Sequence, residues 1–213
     1  MTQMYTRKYV YDAAQRILHW WLALSTLGLM TSGFLASKMD PGSDQAFVWT
    51  LHMTVGKILV VGVVGRILWG IIGPRHARFS AFIHIKSWIE SLKSKKMLSA
   101  DGAFGHHPQA SLSYLGFYGL IVFMCGSGFS LAAILHGEGP LAEVLLDEFK
   151  YLKIINQTHE YGFWAIVFFI VTHVGALVFH EWHDKIPIAQ SIISGFQYRT
   201  HKQIKGKKND DQR

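Results

Sequence analysis

The stretch NQTHEYGFWAIVFFIVTHVGALVFHEWH, residues 156–183, sets four histidines in an apolar run of membrane-crossing length. An imidazole can ligate a metal, pass a proton or hold a hydrogen bond, and in hydrocarbon it is costly enough to require a partner. His159 and His173 stand fourteen residues apart. On a helix that is nearly four full turns and a rise of about 21 Å, so both project from one face at two depths. Facing ligands must come from other segments.

The chain has 213 residues, 50% of them hydrophobic, and a formal net charge of +7. Its apolar residues are concentrated in blocks that predict spans near 17–37, 50–72, 112–135 and 158–180. Each is close to the roughly 20 residues a helix needs to cross the hydrocarbon core, and helices satisfy their backbone groups internally. The basic lead-in and small residues of the first block are also features of a cleaved signal peptide. Its length and the interface-suited pair Trp20 and Trp21 favour a retained helix. A soluble bundle would need polar faces that these blocks lack. The expected fold class is an all-α integral membrane protein, a four-transmembrane-helix bundle forming one domain over 1–213.

Loop charge predicts the orientation. The loop after the first span holds Lys38, Asp40 and Asp44, and the loop after the third holds Glu138, Glu143, Asp147 and Glu148 against Lys150 and Lys153. The opposite side is basic, with Arg7, Lys8 and Arg16, the connection carrying Arg75, Arg78, Lys86, Lys93, Lys95 and Lys96, and the tail 199–213. The positive-inside rule places both termini in the cytoplasm. That topology accounts for the basic charge, and no nucleic-acid recognition motif accompanies it. In the middle connection, Phe82, Ile83, Ile85, Trp88, Ile89 and Leu92 recur at helical spacing, which predicts an amphipathic helix on the membrane surface.

Depth then pairs the histidines. His19 lies just inside the cytoplasmic start of the first span and His52 at the outer start of the second, so His52 matches His159 and His19 matches His173. Facing imidazoles at two levels of a four-helix bundle are what two bis-histidine haems require. Gly56 and Gly162 share faces with His52 and His159 and would leave room for a macrocycle, although glycines also serve close helix packing. Zinc fits less well, because its structural sites cluster ligands at one level, often with cysteine. His76, His84, His136, His183 and His201 are assigned to the interface. With one cysteine, Cys125, and no C-x-x-C-H sequence, the haem is b-type. His180, seven residues after His173, shares the ligand face. Interfacial placement is the simpler assignment, with replacement of His173 as the alternative.

These segments resemble the prokaryotic cytochrome b561 and nickel-iron hydrogenase cytochrome b family over nearly the whole chain. RILHWW is similar to the family's first-helix motif and LHMTVGKILVVGVVGRILWGIIGPR to its second helix. GHHPQA, THEYGFWAIVFFIVTHV and SIISGFQYR are similar to the start of its third helix, its histidine-bearing fourth helix and the segment after it. The resemblance implies His19, His52, His159 and His173 as axial ligands of two haem b groups in the bacterial inner membrane. It also places Arg66 near the inner haem, where Arg16 and Arg66 are candidates for propionate contacts; ordinary positive flanking and snorkelling are the alternatives. The implied role is an electron-transfer subunit of an oxidoreductase complex. It would link a periplasmic redox partner, foremost a hydrogenase small subunit, to quinone. A superoxide:quinone oxidoreductase remains open, as does a quinol-oxidising anchor for another reductase or a c-type cytochrome. The acidic outer loops disfavour capture of an anion.

Overall fold

A computed structural model describes residues 5–81 and 108–200. The amphipathic helix expected over 82–92, most of the GHHPQA segment and most of the basic tail lie outside the described residues.

Strand β1 (Tyr5–Tyr9) leads into helix α1 (Ala13–Ala36). Asp12 starts α1, because its Oδ1 accepts the Gln15 backbone N–H at 2.9 Å, one of the donors a helix start leaves unpaired. Its Oδ2 accepts Trp69 Nε1–H at 3.2 Å. Helix α2 (Ser43–Ile72) stops before Pro74, which has no N–H to continue the ladder. After a 3-10 turn at Phe79–Ala81, α3 (Pro108–His136) begins on a proline, tolerated at the first helical position. It ends where Gly137 turns left-handed at φ 63°.

The loop beyond contains the short helix α4 (Ala142–Leu145) and a 3-10 turn at Phe149–Tyr151. Helix α5 (Leu152–Asp184) then runs for 33 residues. Helix α6 (Ala189–Ser194) closes on Gly195, at φ 85°, where an added Cβ would also collide with Tyr9 and the Tyr11 carbonyl. Strand β2 (Phe196–Thr200) pairs antiparallel with β1, Tyr5 opposite Thr200 and Tyr9 opposite Phe196. The fold is therefore predominantly helical with a small ribbon that the all-α expectation did not contain. No hydrophobic pattern marks so short a pair; Tyr9 against Phe196 and Arg7 over the Phe196 ring hold it.

Among the described residues, three segments are long and apolar enough to cross a membrane: Ser43–Ile72, Ser113–His136 and Phe149–His183. Helix α1 has the length, at 24 residues, but its interior includes His19, Ser25, Thr26, Thr31 and Ser32, which dilute its apolarity. Polarity is inverted relative to a soluble protein. Ser25, Thr26, Ser32 and Ser127 are buried, whereas Trp164, Phe168 and Val171 are exposed. A hydrocarbon solvent favours that arrangement, and it confirms an integral membrane protein.

The chain forms two compact units. The core unit comprises Trp20–Gly65 and Phe117–Ile170. Its centre takes Leu22 from α1, Leu59 from α2, Ile121 from α3 and Ile166 from α5, one buried side chain from each long helix. Phe117 and Phe169 stack there at 4.3 Å. Gly62 lets α1 and α2 approach, since a Cβ would collide with Trp21, whose indole N–H donates to Ile58 O at 2.9 Å. The ribbon unit comprises the described parts of 5–19, 66–116 and 171–200, and includes β1, β2 and α6.

Candidate functional site

The four predicted ligands divide two and two. His52 and His159 belong to the core unit, His19 and His173 to the ribbon unit.

In the core unit the rings of His52 and His159 approach to 6.5 Å between centroids, at 77°. Two imidazoles on opposite sides of one metal, each bonded at about 2 Å, put their centroids roughly 6 Å apart. The pair therefore fits one iron. His52 Nδ1 lies 3.1 Å from Ser32 Oγ and 3.1 Å from the Leu29 carbonyl. His159 Nδ1 lies 2.8 Å from Ser127 Oγ. Both rings are held by Nδ1, which leaves Nε2 for a ligand. Glycine follows each serine: a Cβ on Gly33 would come within 3.0 Å of His52 Cε1, and one on Gly128 within 3.5 Å of His159 Cε1.

In the ribbon unit His19 is carried by α1 and His173 by α5. The Tyr114 ring stands edge-on to His173 at 6.5 Å. Arg16 donates from Nη1 to the Ile193 carbonyl at 2.5 Å. Its buried Nε has no partner among the described residues, and neither do Gln15 Oε1 and Ser191 Oγ. Buried polar atoms are nearly always paired, so an unspent guanidinium N–H fits a carboxylate such as a haem propionate. Arg66 is also buried, but Nη1 and Nη2 donate to the Ala77 carbonyl at 3.3 and 3.2 Å, with the Phe79 ring 5.0 Å from its guanidinium carbon. Those contacts secure the turn after α2. His180 lies edge-on to Phe179 at 5.7 Å, with His183 stacked on the same ring.

The glycine expectation changes. An added Cβ at Gly162 would collide with the Met124 sulfur, so this glycine admits a neighbouring side chain, while Gly56 has only ordinary contact with Leu29. Close approach to the imidazoles belongs instead to Gly33 and Gly128. Sequence reasoning missed these two and their serines. The available signal was the tripeptide Ser-Gly-Phe at 32–34 and 127–129, which also occurs at 194–196, after the last long helix and beside no candidate ligand. Cys125 is a half-buried free thiol packed against the core.

The prokaryotic cytochrome b561 family matches residues 10–195. A probable Ni/Fe-hydrogenase B-type cytochrome subunit of Azotobacter chroococcum mcd 1 is 30% identical over 210 residues, covering 89% of this chain and 86% of its own. The protein of that name in Rhodobacter capsulatus is 30% identical over 92% of this chain and 83% of its own. The probable Ni/Fe-hydrogenase 1 B-type cytochrome subunit of Escherichia coli K12 is 28% identical over 91% of each chain. With that match over residues 10–195 and apolar helices of membrane-crossing length, the chain belongs to the prokaryotic cytochrome b561 family of b-type haem proteins.

Proposed function

We propose that the chain is the two-haem b-type cytochrome of a hydrogenase, carrying electrons between the hydrogenase's periplasmic small subunit and the quinone pool of the bacterial inner membrane. The observation that carries this is the 6.5 Å approach of His52 and His159 in one unit, with His19 and His173 together in the other. The relatives' names supply the hydrogenase.

Parity supports four spans. Antiparallel pairing of β1 with β2 puts the two end segments on one side of the membrane, which requires an even number of crossings. With three apolar helices among the described residues, α1, at 24 residues, is the candidate for the fourth. Loop charge supports cytoplasmic ends, with Arg7 and Lys8 on the ribbon side and Glu138, Glu143, Asp147 and Glu148 in the loop between α3 and α5.

When bound, haem b with two imidazole ligands supplies one-electron chemistry and offers no open coordination position. The chain's own residues do the rest. His52 with His159, and His19 with His173, would hold iron; Arg16 would meet a propionate, and Arg66 is a weaker candidate because its terminal nitrogens already serve Ala77. Leu22, Leu59, Ile121 and Ile166 keep water from the core unit. Reducing one quinone takes two electrons and two protons, with the protons drawn from the cytoplasmic side.

The test is a haem-to-protein ratio and a reduced-minus-oxidised spectrum on detergent-purified protein with any co-purifying subunits retained. Two low-spin b haems per chain beside a hydrogenase small subunit are expected. A colourless protein would overturn the proposal.

A further inference from the structure

A serine hydroxyl has one proton to give and lone pairs to accept with. Ser32 in α1 and Ser127 in α3 are both buried, and each points back along its own helix. Ser32 Oγ is 2.8 Å from Gly28 O and Ser127 Oγ is 3.0 Å from Phe123 O. When each hydroxyl proton goes to that carbonyl, which only accepts, the oxygen keeps its lone pairs free. What each oxygen then presents to the imidazole, at 3.1 Å for His52 and 2.8 Å for His159, is a lone pair. The Leu29 carbonyl, 3.1 Å from the same His52 nitrogen, cannot donate either. At His52 the carbonyl favours the proton on Nδ1, and at His159 the same form follows when the Ser127 proton goes to the Phe123 carbonyl; Nε2 is then the lone-pair nitrogen that a metal requires.

The same device occurs twice, on different helices and in the same three-residue sequence. Ser32 faces the histidine of α2 and Ser127 that of α5, and in each case the next residue is a glycine with the ring against it. A serine that only bonds its own helix is common in membrane helices. That habit does not require a histidine nitrogen at hydrogen-bond distance in both copies.

We propose that Ser32 and Ser127 are positioning residues that fix the Nδ1–H form of His52 and His159. By accepting that proton's hydrogen bond they make Nε2 a stronger donor to iron and hold the potential of the haem between them down. The inference rests on the two-haem proposal and adds what sets the electron affinity of one of the two sites.

The test is a spectroelectrochemical titration, with low-spin EPR spectra, of the full-length protein and any co-purifying subunits. The variants are Ser32→Ala, Ser127→Ala and Ser127→Thr. The haem lost in His159→Ala identifies the one to follow. In Ser127→Ala its one-electron equilibrium is expected to shift two- to tenfold toward the reduced form, an upward move of about 18 to 59 mV at 59 mV per decade, and in Ser32→Ala by less, because the Leu29 carbonyl still accepts from His52 Nδ1. Its EPR anisotropy changes, and the other haem keeps both values. Ser127→Thr, which retains the acceptor, restores the wild-type potential. If an alanine variant does not retain this haem, Ser127→Cys decides, since a thiol accepts more weakly than a hydroxyl and the potential should rise. Wild-type potential and EPR in the alanine variants, or in the cysteine variant if those are empty, would overturn the inference. Retention of both haems in His159→Ala would instead overturn the assignment of His52 and His159 as ligands, on which the proposed function rests.

Discussion

The His52–His159 pair and the His19–His173 pair use the same side chain, and α5 contributes one histidine to each, yet their surroundings differ. Around the first pair the neighbours act on the imidazoles themselves: Ser32, Ser127 and the Leu29 carbonyl engage Nδ1, and Gly33 and Gly128 admit the rings. Around the second, Tyr114 packs on His173, while the same unit holds buried polar atoms of Arg16, Gln15 and Ser191 that find no hydrogen-bond partner among the described residues. One environment is built to orient ligands. In the other, under the two-haem proposal, the buried Arg16 Nε–H would meet a carboxylate. Matched histidine pairs therefore do not imply matched sites, because what tunes a ligand lies in the groups behind it.

The largest effects should come from the ligands. His159→Ala and His173→Ala are each expected to cut haem content from two to one per chain, with different optical components lost, and the double variant should bind none. A pyridine haemochrome assay reads this directly, and loss of both haems from either single variant would make the two sites one cooperative unit. Arg16→Gln removes a charge-assisted donor, which contributes about 1.5–3 kcal/mol when paired with a carboxylate. It should weaken retention of the His19–His173 haem tenfold or more and leave the other in place, as measured by haem transfer to apomyoglobin.

Packing gives the next tier. Gly62→Ala in the core unit drives a methyl into Trp21, and Gly70→Ala in the ribbon unit drives one into Phe79. Each should destabilise by about 1–3 kcal/mol, read as a lower Tm in detergent. Gly33→Ala and Gly128→Ala sharpen the comparison within the first pair. A Cβ at 3.0 Å from a ring held by hydrogen bonds should disturb the His52 side by about 1 kcal/mol, whereas 3.5 Å at His159 is ordinary contact and should be close to neutral.

The smallest effect should be at Glu138. The Lys57 ammonium, 2.9 Å away and hydrogen-bonded to it, holds its carboxyl below the ordinary value of 4.5. A depressed carboxyl stabilises the fold above its unfolded value and loses that contribution as pH falls through the folded one. Glu138→Gln should therefore change Tm marginally at pH 7 and not at all well below pH 4. Such an exposed pair is screened by salt, so even the neutral-pH difference should vanish at high ionic strength.

The sequence by itself determined the long helices, their membrane solvent and the four histidines, because a 3.6-residue period and apolar blocks are local properties that bilayer thickness converts into structure. It also placed His159 and His173 on one face. Helix ends were less legible: α2 begins at Ser43 and α5 at Leu152, several residues before the apolar blocks, since polar turns extend a helix beyond hydrocarbon without a hydropathy signal. Only the tertiary structure decided which groups stand behind the ligands. Ser32 lies 20 residues from His52 and Ser127 lies 32 from His159, separations with no local periodicity to reveal them. The pairing of β1 with β2, the use of Gly162 for Met124 and the engagement of Arg66 by Ala77 are likewise contacts between segments. A side chain's neighbours along the chain follow from backbone geometry; its neighbours across helices follow from how four surfaces interlock, and no single segment encodes that.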